Sequence, residues 1–381
     1  MHAHHYSLYG LVSAPRPTEA RGQRLRELAN DVCWERVPDI ATKQRIGPLI
    51  YWHLREHDIP YPNHIRRTLA AIFARQKAIA AAQTETLAEI IAALRDAAID
   101  SLVLKGGALA HILYPEPGLR PMEDLDILVP SNQGEAAREV LCDLGFHAPA
   151  PITRYARLQH HLPVAQRMTG NILVSVEVHT TAFNLLMAHE LSFSSLQRPL
   201  VDYVAGGEAM QALAPEQMLW MQYHGLRKLA EPVRFLQLAD LVGLVERYAD
   251  VLDWPQLRRD YPDLWHALTA LHAFTPLGGN ACGHLGLDAE RPPSMRGIGE
   301  DYRGWPRHGF TQKLNPRERW QLLAETLHPP EWWARFVYGI PSARGLSGVF
   351  FHRHPAAFIH QGLRRLYLGP VSRGAFFKTE I

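Results

Sequence analysis

Apolar positions follow helical spacing at both ends of the chain and strand spacing in the middle. Leu25, Leu28, Ala29, Val32 and Cys33 form an i, i+3, i+4 stripe, so residues 22–58 read as amphipathic helices. Pro60, Pro62 and Asn63 break the pattern. From Arg66 to Ala98 there is neither Gly nor Pro, and the segment reads as one helix or a closely spaced pair. Its expected core positions are Leu69, Ile72, Phe73, Ile79, Leu87, Ile90, Ile91 and Leu94.

The texture changes at Ile99. Ser101 to Leu104 is a short apolar run followed at once by Lys105-Gly106-Gly107, and Ala108 to Tyr114 is helical. Asp124 to Val129 alternates like a strand and ends at Pro130. Gly134 to Leu144 is a helix capped by Gly145, and Asn171 to His179 is a strand carrying Ile172, Leu173, Val174, Val176 and Val178. Helical spacing returns in 216–230, 232–248, 254–261 and 262–273. A Pro/Gly-rich stretch at 276–309 reads as a linker or long loop, followed by short helices near 316–327 and 330–338. The expectation is an α/β core between helical regions. Its bounds are a helical region over 1–98, the core over 99–210, a helical domain over 211–275, and a linker with a basic end over 276–381.

Composition fits a globular protein, with 47% apolar and 20% charged residues among 381. The net charge of +2 hides an asymmetry: from Arg303 onward 12 Lys/Arg face 4 Asp/Glu, whereas residues 1–302 hold 28 against 34. Three scattered cysteines, Cys33, Cys142 and Cys282, argue against a disulfide framework or zinc knuckle and for a reducing cytoplasm. No signal peptide or membrane-spanning run is apparent. The His-rich start, Met1 to His5, reads as a polar tail.

Three pieces carry chemistry. A Gly-Gly pair after a strand lets a backbone approach an anion closely, and the following helix adds its positive end, so Gly106 and Gly107 suit a phosphate. Asp124 and Asp126 lie two apart on a strand and share a face. Paired carboxylates repel unless a cation sits between them, and hard oxygen donors suit Mg²⁺. Glu177 on a later strand supplies a third acid, to hold a second metal ion or to act as a base. Individually these features are also a turn, a solvated acid pair and a surface glutamate; their order along the chain is what joins them.

Leu104-Lys-Gly-Gly-Ala-Leu109, Leu113-Tyr114, Gly118-Leu-Arg-Pro121 and Glu123 to Val129 together resemble the nucleotidyltransferase superfamily of the polymerase-beta type. More narrowly they resemble the bacterial uncharacterised nucleotidyltransferase family, with its LKG…LY…R…DxDxLV signature. Glu177-Val-His179 matches that family's acid-x-His pair, and His224, Asp240 and Asp253-Trp254 fall where it has later residues. The resemblance covers roughly 20–270. It implies an α+β fold: a small mixed-sheet nucleotidyltransferase core flanked by N-terminal and C-terminal helices. The spacing from Gly107 to Asp124 is wide for the superfamily, and its usual third Asp is here Glu177.

By that resemblance Gly106 and Gly107 contact the triphosphate of an NTP such as ATP, and Asp124, Asp126 and Glu177 hold Mg²⁺, as one ion or two. Lys105 and Arg120 are the nearest cations, one of them to stabilise charge on the phosphates. Arg120 has an alternative as the ion-pair partner of Glu116 or Glu123. His179 is expected to orient Glu177, contact substrate or sit in the core. His224 and Arg227 would reach the cleft from the helical domain.

The implied reaction moves a nucleotidyl group to a hydroxyl acceptor. The acceptor would be a ribosomally made peptide of the lasso type, or a small metabolite. Alternatives are a toxin of a toxin–antitoxin pair acting on tRNA or protein, and a non-catalytic nucleotide-binding module. Arg353, Arg364, Arg365, Arg373 and Lys378, interleaved with Phe350, Phe351, Phe358 and Tyr367, would form a nucleic-acid surface or a helix docked on the acidic body.

Overall fold

The computed structural model describes residues 6–150, 161–182, 192–196, 198–226, 233–289 and 315–359, the last without 318–319, 321–323, 325–326 and 358. A short helix α1 (Leu8–Leu11) leads into α2 (Glu19–Leu28), α3 (Val37–Lys43) and α4 (Gly47–Glu56). Then α5 (Asn63–Asp96) runs as one unbroken helix of 34 residues, about 51 Å long at 1.5 Å per residue. Of its expected core, Leu69, Phe73, Leu87, Ile90, Ile91 and Leu94 are buried, and Ile72 and Ile79 are half-buried.

The core sheet follows. It comprises β1 (Leu102–Leu104), β2 (Leu125–Leu128), β3 (Ala165–Thr169) and β4 (Ile172–His179), in the order β1-β2-β4-β3. β1 pairs antiparallel with β2, β2 parallel with β4, and β4 antiparallel with β3. The sheet is therefore mixed, as expected. A parallel pair needs a crossover, and α7 (Gly134–Asp143) lies in it. Because β2 is central, Leu125 to Leu128 are buried on both faces rather than alternating. Helix α6 starts at Lys105, directly after β1, and runs to Ile112, so the glycine pair lies inside its first turn.

Two strand features escape the apolar pattern. β3 has only Ala165 fully buried, and its side chains are mostly polar. The ribbon of β5 (Val201–Ala205) and β6 (Glu208–Ala212) is half-exposed. Its turn is the pair Gly206-Gly207, both at positive φ (57° and 84°), which suits the tight turns that match strand twist.

Helices α8 (Pro215–Leu226), α9 (Phe235–Arg247), α10 (Trp254–Asp260) and α11 (Pro262–Leu271) match the helical spacing. The stretch read as a linker instead contains a seven-residue helix, α12 (Gly279–Leu285), with Ala281, Cys282 and Leu285 buried. Short helices survive Pro/Gly-rich surroundings when tertiary packing supports them. Further on, α13 (Glu331–Tyr338) buries Trp332 and Trp333. All three cysteines are free. Among the described residues no helix is long and apolar enough to cross a membrane.

The two helical ends of the chain are bonded together. Tyr6 donates to the carbonyl of His272 at 2.9 Å, and Thr275 to that of Ser13 at 3.2 Å. Arg21 pairs with Glu246 at 2.5 Å and donates to the carbonyl of Pro276. His53 Nε2 lies 2.9 Å from the carbonyl oxygen of Ala14 and is fully buried.

The loop from Tyr114 to Asp124 is pinned from both sides. Gly118 packs on the backbone of Lys77, where a Cβ would lie 3.0 Å from its Cα. Lys77 pairs with Glu116 at 3.0 Å, and Arg45 pairs with Glu123. Gln83 donates to the carbonyl of Met122. Arg120 forms a two-pronged pair with Asp240 of α9, at 2.8 Å (Nε to Oδ1) and 2.6 Å (Nη2 to Oδ2). Tyr114 donates to the same Oδ1 at 2.7 Å. Both charged partners are buried, and removing one strands the other.

Two predictions follow from this packing. Asp240→Leu should lower the unfolding free energy by about 3–5 kcal/mol, seen as a lower urea midpoint. Adding Arg120→Met should recover much of that loss, because the stranded charge is removed with its partner. The second concerns His53, whose pKa burial depresses from 6.5 to about 3 against the opposing bond to Ala14. Between those values the unfolded chain binds a proton that the native chain refuses, so native stability falls as pH falls through this window. At pH 5 the loss relative to pH 7.5 should be about 2 kcal/mol, and His53→Gln should remove that part of the slope in paired urea titrations.

Candidate active site

β2 carries Asp126 into the middle of the sheet. On one side Leu104 of β1 is its register partner, and on the other side Glu177 of β4. The next residue along β4 on the same face is His179, two positions on. Lys105 follows β1 directly; strand alternation would turn its side chain to the other face from Leu104, and the change of backbone at the start of α6 lets it reach Asp126 instead. Lys105 has φ +43°, an uncommon conformation for a side-chain-bearing residue, held at the junction of strand and helix.

These four side chains meet. Lys105 Nζ forms an ion pair with Asp126 Oδ1. His179 Nε2 lies 2.7 Å from that same oxygen and 3.4 Å from Glu177 Oε2. Asp126, Glu177 and His179 each offer a ligand atom within 4.8 Å of the others, a spacing that would hold a metal ion. Asp126 and His179 are buried, and the Glu177 side chain keeps 19% exposure.

Asp124 lies just ahead of β2 rather than in it, half-buried. Burial, reinforced by the charges of Asp126 and Glu177, pushes its carboxyl up to about 6. Burial disfavours the charged form of Asp126 too, but Lys105 and His179 outweigh it and hold that carboxyl well below its usual range. Burial is likewise outweighed at Glu177, which the His179 hydrogen bond lowers, and at His179, which the two carboxylates raise. A second cation beside Asp124 would relieve the repulsion that raises it. The donor set thus fits a divalent ion, with Lys105 as its rival for the carboxylate of Asp126.

The first turn of α6 borders this cluster. Gly106 and Gly107 are buried, and close packing leaves no room for larger residues. A Cβ at 107 would come within 2.8 Å of Val103 Cγ1, and one at 106 would strike the Arg120 guanidinium. The N–H groups of a first helical turn lack intrahelical acceptors and form a natural anion site.

Arg120 sits behind this turn, bound to Asp240 rather than to Glu116 or Glu123. Both nitrogens of its pair, Nε and Nη2, are committed there, while Nη1 faces Gly106. His224 lies half-buried on α8, its ring 5.8 Å from that of Trp220. Arg227 lies outside the described residues, as do Met1 to His5 and Phe358, Arg364, Arg365, Tyr367, Arg373 and Lys378 of the basic C-terminal stretch. Within that stretch Phe351 and Arg353 are exposed.

One participant and one partnership were invisible to spacing. His161 bridges to the backbone of His179, its ring 5.4 Å away, and its charge helps to lower Glu177. Nothing in its sequence surroundings marks it. Asp240 as partner of Arg120 had one local signal, a lone acid inside the apolar run Leu238-Ala-Asp-Leu-Val242.

Known proteins bear on this geometry. A family model described as "Uncharacterised nucleotidyltransferase" matches residues 30–275. Two solved structures show a looser likeness. The solution structure of the antibiotic-resistance factor ANT(2'')-Ia has 14% identity and a TM-score of 0.33, covering 50% of this chain and 96% of that one. The crystal structure of an antigenic nucleotidyltransferase-like protein from Paracoccidioides brasiliensis has 16% identity and a TM-score of 0.31, covering 52% and 95%. No curated protein matches the chain. The family match spans well over half of the sequence and encloses the acids, the glycine turn and the Arg120–Asp240 pair. The chain therefore belongs to the uncharacterised nucleotidyltransferase family, and it is a nucleotidyltransferase.

Proposed function

We propose that the chain uses Mg²⁺ to move a nucleotidyl group from an NTP to a hydroxyl acceptor, releasing pyrophosphate. The observation that carries this reading is the meeting of Asp126, Glu177 and His179 within 4.8 Å, beside the first turn of α6. Asp126 and Glu177 of that trio would hold the metal, joined by Asp124 from outside it, and bound Mg²⁺ would neutralise phosphate charge and polarise the phosphorus that is attacked. The N–H groups of the glycine turn would bind the triphosphate, joined by Lys105.

In the reaction the acceptor oxygen bonds to the α-phosphorus, and the bond from that phosphorus to the bridging oxygen of pyrophosphate breaks. Glu177, the less buried acid, either completes the cation site or takes the acceptor's proton. His179 aligns Asp126 through its hydrogen bond. Arg120 contributes by fixing the glycine turn and adding positive charge behind it. His224 and Arg227 belong in this reading to the acceptor side. The acceptor itself is a hydroxyl-bearing peptide or small metabolite.

Isothermal titration should show NTP binding that needs Mg²⁺ and disappears with EDTA. The double variant Asp124→Asn, Asp126→Asn should lose that binding by about 100-fold or more while its circular dichroism still reports the folded chain. Metal-independent binding, or unchanged binding by the double variant, would count against the reading.

A further inference from the structure

One oxygen, Asp126 Oδ1, is claimed twice in the fold: by the Lys105 ammonium and by His179. The same carboxylate belongs to the candidate cation site. An ammonium and a divalent ion cannot both rest on one carboxylate without strong mutual repulsion. The two bound partners of Asp126 differ in freedom. His179 is sealed in the sheet, with none of its side chain exposed, whereas 37% of the Lys105 side chain is exposed. Lys105 is thus the partner able to leave. It is also the first residue of α6, next to Gly106, so its stem starts where the N–H groups of the glycine turn would meet phosphate. Its left-handed backbone fixes that starting point on the boundary between the acids and the helix turn.

We propose that Lys105 couples metal binding to triphosphate binding. Its ammonium neutralises Asp126 until a divalent cation takes that carboxylate, and the displaced ammonium then pairs with the incoming triphosphate. The inference rests on the metal and NTP reading above, and it gives Lys105 two successive partners, Asp126 and the triphosphate. Metal and triphosphate then strengthen each other's binding, because each favours the same displaced position of one side chain. By linkage the effect must be reciprocal.

The test measures binding rather than turnover. Mn²⁺ alone is titrated and its free concentration followed by electron paramagnetic resonance, for wild type, Lys105→Met, Lys105→Gln and Lys105→Arg. The neutral variants should bind Mn²⁺ about tenfold tighter or more, the scale on which one adjacent charge moves an equilibrium at a carboxylate. Lys105→Arg should stay within about threefold of wild type, since it keeps the charge. The reciprocal arm uses inorganic tripolyphosphate in EDTA. Asp126→Asn should bind it tighter than wild type, and adding Lys105→Met should cancel most of that gain. Circular dichroism and urea midpoints identify any variant that fails to fold, and two neutral variants guard against losing one.

Neutral variants that bind Mn²⁺ no tighter than wild type, while Asp126→Asn loses Mn²⁺, would overturn the coupling and leave the metal site standing. Wild type that takes up no Mn²⁺ and matches Asp126→Asn would remove the metal site itself, and the coupling with it.

Discussion

The buried pair between Arg120 and Asp240 holds two parts of the molecule in one arrangement. Arg120 lies in the loop that leads into β2, and Asp240 lies on α9, 120 residues further along the chain. Both charges are out of water, so neither can be left without the other. Tyr114 closes the same network on the sheet side. Together they fix the C-terminal helices against the loop that presents Asp124 and Asp126. The Arg120 guanidinium then backs the first turn of α6, where only glycine fits. Loop, helix start and acids thus share one anchor.

That anchor lets the acids crowd together. Three carboxylates near one another in a half-buried cleft are costly, and the strain is distributed unevenly. Asp126 is stabilised as an anion by Lys105 and His179, while Asp124 is raised by its burial and then by the repulsion. The pattern is that of a site built to receive positive charge. Parallel pairing of β2 with β4 is what places Glu177 beside Asp126, and the period of two along β4 is what adds His179.

Much of this was legible in the sequence. The long helical stretch before the core, left open as one helix or a pair, the glycine turn after a strand, the Asp-x-Asp pair and the acid-x-His strand all follow from short-range patterns. The residues that escaped are those defined by long-range contact. His161 has no local signal at all, and the partner of Arg120 looked equally like Glu116 or Glu123, which pair instead with Lys77 and Arg45. β3 and the β5–β6 ribbon were missed because their half-exposed strands carry few buried apolar residues. The helix Gly279–Leu285 was missed because its support comes from neighbours distant in sequence. Burial also overrode alternation in β2, since a central strand is covered on both faces.

Helix α5 has a mechanical consequence. It carries no Gly or Pro from residue 63 to 96, so it has no internal point at which to bend. The middle of its length braces the acid loop, through Lys77 under Gly118 and Gln83 on Met122. Further along, Glu89 grips Arg167 of β3. The sheet and its acids are thereby splinted to a rod. With α9 also clamped to the acid loop through Asp240 and Arg120, the acids form a fixed jaw braced from two directions.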